Sequence, residues 1–141
     1  MFRKLTVAAF ALAALVFAGH AAHADQDVTE RVLNHHLQSF GAGNVAAIME
    51  DYTDKSVIIL PNGVLKGRGQ IIGLYNALVA EFSKPGMKFK LTNTKIDDHL
   101  AYITWNAETQ DNVYKFATDT FVIKGGKITH QTVAFDVTAK K

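Results

Sequence analysis

The chain has 141 residues, 15 Lys and Arg against 13 Asp and Glu, a formal charge of +2, and no cysteine. Its basic surplus sits in Arg3 and Lys4, and from Asp25 onward the two signs balance, which offers no basic face to a nucleic acid or other polyanion. Disulfide staples are excluded, so one packed core must hold the fold, and a chain of this size can bury one.

Residues 1–24 read as a segment apart. Arg3 and Lys4 precede the apolar run LTVAAFALAALVFAG, and Ala-His-Ala follows before Asp25. A positive start, an apolar middle and small residues at the end are the marks of a secretory signal peptide. Cleavage is expected after Ala24, giving a secreted or periplasmic protein. The apolar run is short for a membrane span, and no later stretch could serve as one, so no membrane association is expected after removal.

The next stretch, DVTERVLNHHLQSF, has Asp27 and Glu30 at capping-box spacing and Gly41 and Gly43 beyond its end, which predicts a first helix. Val28, Val32, Leu33, Leu37 and Phe40 form its apolar stripe. A short second helix is expected over NVAAIMEDY, with Asn44 as N-cap and Tyr52 at its end. SVIIL reads as a strand stopped by the turn sequence Pro-Asn-Gly. A third helix, GQIIGLYNALVAEF, places Ile71, Leu74, Tyr75, Leu78 and Phe82 at helical spacing, and Ser-Lys-Pro-Gly ends it.

From Met87 the apolar period changes to two. MKFKLTN, LAYITWNAE, VYKFATDTFVI and KITHQTVAF read as four antiparallel strands, the last two joined through Lys-Gly-Gly. The expected architecture is α+β, with three N-terminal helices packed on a curved antiparallel sheet. One domain is expected over residues 25–135, with 136–141 a short loose tail.

Within the third of these strands Asp119 is a misfit. Strands are depleted in aspartate, and a carboxylate taken out of water is costly without partners. Alternation puts it on one face with Ala117, Phe121 and Ile123, while Phe116, Thr118, Thr120 and Val122 take the other.

The stretches GAGNVAAIMEDYTDKSVI, Gly63 to Ile71 (G-x-L-K-G-R-G-Q-I) and TDTFVIKGGKITHQ, in this order, resemble the nuclear transport factor two-like superfamily, in particular its SnoaL-like branch. The likeness covers essentially all of the chain after residue 24. It implies a cystatin-like, cone-shaped half-barrel around an apolar pocket, usually dimeric. The superfamily includes ketosteroid isomerases, polyketide cyclases, dehydratases, epoxide hydrolases and proteins without known activity, so the fold does not carry the function.

Further expectations follow from the resemblance. In ketosteroid isomerases an aspartic acid in the same D-x-F context points into the pocket, and Asp119 with Phe121 matches it. In those isomerases the acid stays neutral and donates a hydrogen bond to an oxyanion, and the resemblance implies the same role for Asp119. His36 occupies the place of the isomerases' oxyanion-hole tyrosine. It also lies near the middle of the first helix's stripe, with His35 at the edge. The isomerases' general base precedes a proline, where this chain has Leu60 before Pro61, and a leucine takes no proton. An enzyme of this kind would therefore need His36 with Asp119 as its acid-base pair, or would use bound water.

Tyr52, Trp105, Phe121 and Gln131 are the expected pocket-lining residues, with His130 turned outward. The histidines from residue 25 on, His35, His36, His99 and His130, lack metal-ligand spacing, and the sequence gives no metal site and no cofactor motif. The expected role is binding a small apolar or aromatic molecule in a homodimer, with acid-base activity or an interaction module as the alternatives.

Overall fold

The protein was analysed as a computed structural model, which describes the backbone of residues 11–141 and the side chains from His23 onward. The signal peptide expected over residues 1–24 thus lies largely outside the described side chains. A long helix, α1 (Ala11–Gly41), leads into a short α2 (Val45–Glu50). Strands β1 (Tyr52–Leu60) and β2 (Gly63–Lys66) follow, then α3 (Arg68–Phe82). The chain closes with β3 (Lys88–Asp97), β4 (Leu100–Glu108), β5 (Asn112–Lys124) and β6 (Lys127–Ala139).

The α+β class is as expected, with four corrections to the detail. The helices are not all N-terminal, because a β1–β2 hairpin precedes α3. Pro61-Asn62 is the turn of that hairpin, with Leu60 opposite Gly63, so the chain continues as a strand instead of stopping. Asp27 does not cap a helix, since α1 runs through it; nothing in the alanine-rich stretch before it breaks the helix. The tail is not loose as far as Ala139, because β6 stays paired with β5 there, Ala139 opposite Asn112.

The six strands form one curved sheet in the order β2-β1-β6-β5-β4-β3. Neighbours are antiparallel except β1 and β6, which run parallel. Register shifts at Trp105/Ala107 in β4 and Tyr114/Phe116 in β5 lie side by side. Bulges of this kind increase local twist and bend a strand, here over the helices. The β5–β6 turn is Gly125-Gly126, at φ 59° and 72°, a pair of left-handed conformations that suits a two-residue hairpin. Gly67, at φ 74°, leads into α3 where a Cβ would stand 2.9 Å from the Asp54 carbonyl oxygen. The turn from β2 into α3 therefore needs glycine.

Two polar ties fix the helices over the sheet. Thr29 of α1 donates its hydroxyl to the Asp98 carbonyl in the β3–β4 turn at 2.8 Å. Near the end of α3, the Glu81 carboxylate accepts from Thr109 Oγ1, Asn112 Nδ2 and the Tyr114 hydroxyl. Between them lies the core of Leu33, Ile48, Ile58, Ile71, Ile103, Phe121, Ile123 and Ile128. The alternation expected in β5 holds: Ala117, Asp119, Phe121 and Ile123 are buried beneath the helices, while Phe116 is about half exposed on the outer face.

Candidate functional site

A cavity of about 290 Å³ opens between α1, α3 and the concave face of the sheet. That is near the lower end of small-molecule pockets, roughly 300–1,000 Å³. Its walls are mostly apolar, built from Leu37, Phe40, Leu74, Leu78, Ile103 and Val133 among others. Phe89 of β3, Phe135 of β6 and Asn62 are the exposed members of the lining and mark its mouth.

The polar groups gather at one end. Asp119, 7 % exposed, accepts a hydrogen bond from Trp105 Nε1 on Oδ2 at 2.7 Å and one from Gln131 Nε2 on Oδ1 at 2.9 Å. Burial pushes its carboxyl above the usual carboxylate range. The two hydrogen bonds and the His36 ring act the other way, but burial dominates.

Gln131 passes the network on. Its Oε1 accepts from the Tyr52 hydroxyl and, at 3.3 Å, from the Tyr75 hydroxyl. The two phenol oxygens lie 2.6 Å apart, and Tyr75 reaches His36 Nε2 at 3.1 Å. Burial is the first cause raising both phenols, Tyr52 well above its ordinary value. His36, 4 % exposed, stands edge-on to the rings of Tyr52, Tyr75 and Phe121, with centroids 5.4–5.7 Å away. Its Nδ1 lies 3.4 Å from Asp51 Oδ2, an electrostatic contact in which neither buried atom makes a hydrogen bond. The other Asp51 oxygen meets Nδ1 of the exposed His35 at 2.7 Å.

Of the residues expected at the site, the structure brings Asp119, His36, Trp105, Phe121 and Gln131 to one cavity. Tyr52 is placed differently. It opens β1 instead of ending α2, and its ring stands behind the wall, 2 % exposed, reaching the site through Gln131 and Tyr75. Gln131 faces inward and His130 outward, as alternation requires. His35 and His36 diverge around the helix, yet each meets one oxygen of the same Asp51 carboxylate.

Two members of the network were missed by sequence reasoning. Tyr75 had been placed only as part of a helix stripe. A hydroxyl on a stripe that sinks into the core needs a buried partner, and that was the available signal. Asp51 directly after α2 carried no such signal, because an aspartate past a helix end is ordinary on a surface. Elsewhere, Asp25, Asp98 and His99 bring their side-chain ligand atoms within 4.8 Å of one another at the β3–β4 turn, in exposed or half-exposed positions. Clusters of this kind are common on surfaces without an ion.

The sequence profile of the SnoaL-like domain matches residues 33–131. The chain belongs to this family. No curated protein matches the sequence. Among solved structures, the SnoaL-like chain is similar to SalBIII, an epoxide hydrolase/cyclase-like enzyme in pyran ring formation in the polyether salinomycin. That likeness has 18 % identity and a TM-score of 0.69, over 82 % of this chain and 98 % of SalBIII. It is also similar to an NTF2-like protein of unknown function from Mesorhizobium loti, at 18 % identity and TM-score 0.65, over 79 % and 93 % of the two chains. A third, from Burkholderia xenovorans LB400 and also of unknown function, has 19 % identity and TM-score 0.65, over 79 % and 85 %. At these identities the likeness establishes the shared fold of the SnoaL-like domain, and the chemistry has to be argued from its own residues.

Proposed function

We propose that this SnoaL-like domain binds a small apolar or aromatic molecule bearing one carbonyl or hydroxyl oxygen, and that Asp119 and His36 form the acid-base pair facing that oxygen. The carrying observation is Asp119, a carboxyl buried in an otherwise apolar cavity and held on both oxygens by neutral donors. A group so placed gives or takes a hydrogen bond in surroundings where that bond is strong. The architecture supports the reading: helices and curved sheet enclose a cavity whose apolar walls would carry affinity and whose polar end would fix orientation.

The same reading includes export, with processing after Ala24, and pairing of two copies through the outer sheet face. Ile59, Val64, Leu100, Tyr102 and Phe116 are exposed there, more apolar surface than a lone domain favours.

Trp105 is the sole tryptophan and lines the cavity, so its fluorescence reports occupancy. Titration with a panel of bicyclic phenols and ketones should quench or shift it, and Asp119→Asn should weaken that response while leaving the fold intact. If no member changes the emission and Phe121→Trp is equally silent, the pocket is not a ligand site of this kind. Conversion of a bound member, followed by mass spectrometry, separates an enzyme from a carrier.

A further inference from the structure

We infer that Asp119 and His36 are the two ends of one hydrogen-bonded chain that holds a single shared proton, and that Gln131 is the positioning residue that lets the chain run in either direction.

The argument is a count of hydrogens. Between Gln131 Oε1 and His36 Nε2 three short contacts run in series: Gln131 to Tyr52, Tyr52 to Tyr75 at 2.6 Å, and Tyr75 to His36 at 3.1 Å. The fourth, from Tyr75 directly to Gln131 at 3.3 Å, is the longest and is a side branch that the chain does not need. The two phenols supply only two hydrogens for the three in series. A third must come from one end, either from His36 Nε2 or from the Gln131 amide.

If it comes from His36, every bond points toward Asp119. His36 donates to Tyr75, Tyr75 to Tyr52, Tyr52 to Gln131 Oε1, and Gln131 Nε2 to an ionised Asp119. If it comes from Gln131, its amide is turned over and every bond points the other way. A protonated Asp119 donates to Gln131 Oε1, the amide nitrogen donates to Tyr52, Tyr52 to Tyr75, and Tyr75 to a bare His36 Nε2. The heavy atoms need not move between the two, because the amide oxygen and nitrogen exchange places.

Both forms keep a hydrogen on His36 Nδ1, whose nearest charge is the Asp51 carboxylate, with Oδ2 3.4 Å away and not hydrogen-bonded. Asp51 thereby fixes which ring nitrogen is variable. The two forms also contain the same number of protons. Passing from the first to the second breaks N–H at His36 Nε2 and forms O–H at Asp119. The proton is carried across by a hydroxyl or water in the cavity that both groups line, and no other reactant is needed. Other ionisable groups around the pair are Asp51 after α2, Tyr52 on β1, Tyr75 on α3 and, beyond Asp51, His35 on α1. While it holds that one proton, the site offers one acid and one base, and the ligand decides which end is which.

The inference builds on the reading of Asp119 and His36 as the paired groups of the cavity. Its test uses the unliganded protein, so a failure to find a ligand and a failure of the chain are distinguishable. In Asp119→Asn the Trp105 N–H must still find an oxygen, because it can only donate. The new amide nitrogen then faces Gln131 and imposes the second direction.

Nitrogen-15 NMR of the imidazole rings at neutral pH should show His36 in that variant with one ring hydrogen, on Nδ1, and none on Nε2. A hydrogen on Nε2 would overturn the inference. Gln131→Met, of the same length, cuts the chain. In wild type the Asp119 carboxyl and His36 ring signals should change together with pH, and in Gln131→Met that concerted change should be lost. Its persistence there, or its absence in wild type, would equally overturn the proposal. If Gln131→Met does not fold, the ring hydrogen in Asp119→Asn decides alone.

Discussion

Trp105 Nε1 donates to Asp119 Oδ2 at 2.7 Å across the β4–β5 ladder, so the one tryptophan of the chain is held by its most deeply buried cavity carboxyl. The ring is packed at the same time against Phe82, Phe89 and Tyr114, with centroids 5.6–6.1 Å away. Trp105→Phe keeps most of that packing and removes the donor. The Asp119 carboxyl should move still higher, since a bond that favours the ionised form is gone. Stability should fall by about 1–3 kcal/mol, the range for leaving a buried polar group unpaired. Carbon-13 NMR of the carboxyl and urea unfolding measure the two effects, and an unmoved carboxyl would show that the bond does not form in solution.

The raised Asp119 carboxyl also predicts a pH dependence. Its folded value lies above the ordinary 3.8, so its contribution to stability is fully present below the unfolded value and is lost as pH rises through the folded one. Asp119→Asn cannot ionise and should lack this loss. At neutral pH the variant should be at least as stable as wild type, with the difference shrinking on acidification. Unfolding curves at acid and neutral pH test the sign, and a variant destabilised most at neutral pH would mean a paired carboxylate instead.

How much of this site could be read from the sequence depends on where each residue sits. Asp119 was legible because an acid among Phe116, Phe121 and Ile123 violates strand composition, and period-two alternation fixed its neighbours. His36 was legible from helix periodicity together with its match to the isomerases' oxyanion-hole position. Tyr52 was misplaced because its position follows a helical run without a glycine, and only the parallel pairing of Tyr52 with Ile128 shows that the strand has already begun. That pairing joins residues far apart in sequence, and local pattern carries no trace of it. The same holds for Asp51, whose meaning comes from two histidines sixteen and fifteen positions earlier, held over it by the fold. The β1–β2 hairpin was overlooked for a different reason: Pro-Asn-Gly marks a turn but does not say whether a strand resumes.

Tyr75 offers a third test. Tyr75→Phe removes a hydroxyl that touches Tyr52, Gln131 and His36. It should lower stability by about 1–3 kcal/mol, because His36 Nε2 loses its partner in a buried place. Tyr52→Phe should cost a similar amount. In a double-mutant cycle the two should be non-additive, since they belong to one network. Additive losses would show that the phenols act independently.

Assembly can be probed on the outer face. Val122 lies there opposite Leu100 of β4, on the same face as the exposed Phe116 and Tyr102. Val122→Lys should shift the protein toward monomer in light scattering, with little change in the cavity. Wild-type protein that is already monomeric at high concentration would remove the proposed pairing.

Processing is tested by a chain starting at Asp25. It retains Thr29 with its bond to the Asp98 carbonyl, and His36 seven residues further on, so it should fold and keep the cavity. Circular dichroism and Trp105 emission compare it with the longer chain. Mass analysis of the exported protein should give Asp25 as first residue, and an intact Met1 on exported material would refute the processing site.

The Glu81 carboxylate, with Thr109, Asn112 and Tyr114 gathered on it, has a consequence for traffic in and out of the cavity. It welds the C-terminal turn of α3 to the β4–β5 turn, and burial together with the Glu81 contact pushes the Tyr114 phenol up to about 12, keeping its hydrogen in place across the ordinary pH range. Phe82 and Tyr114, both wall residues, are therefore fixed jambs. The lining residues Phe89 and Phe135 stand exposed on β3 and β6, with no such clasp on their side chains, and β3 is one of the two edges of the sheet. A guest would come and go past these two rings, with the helix side acting as the frame and the strand side as the door.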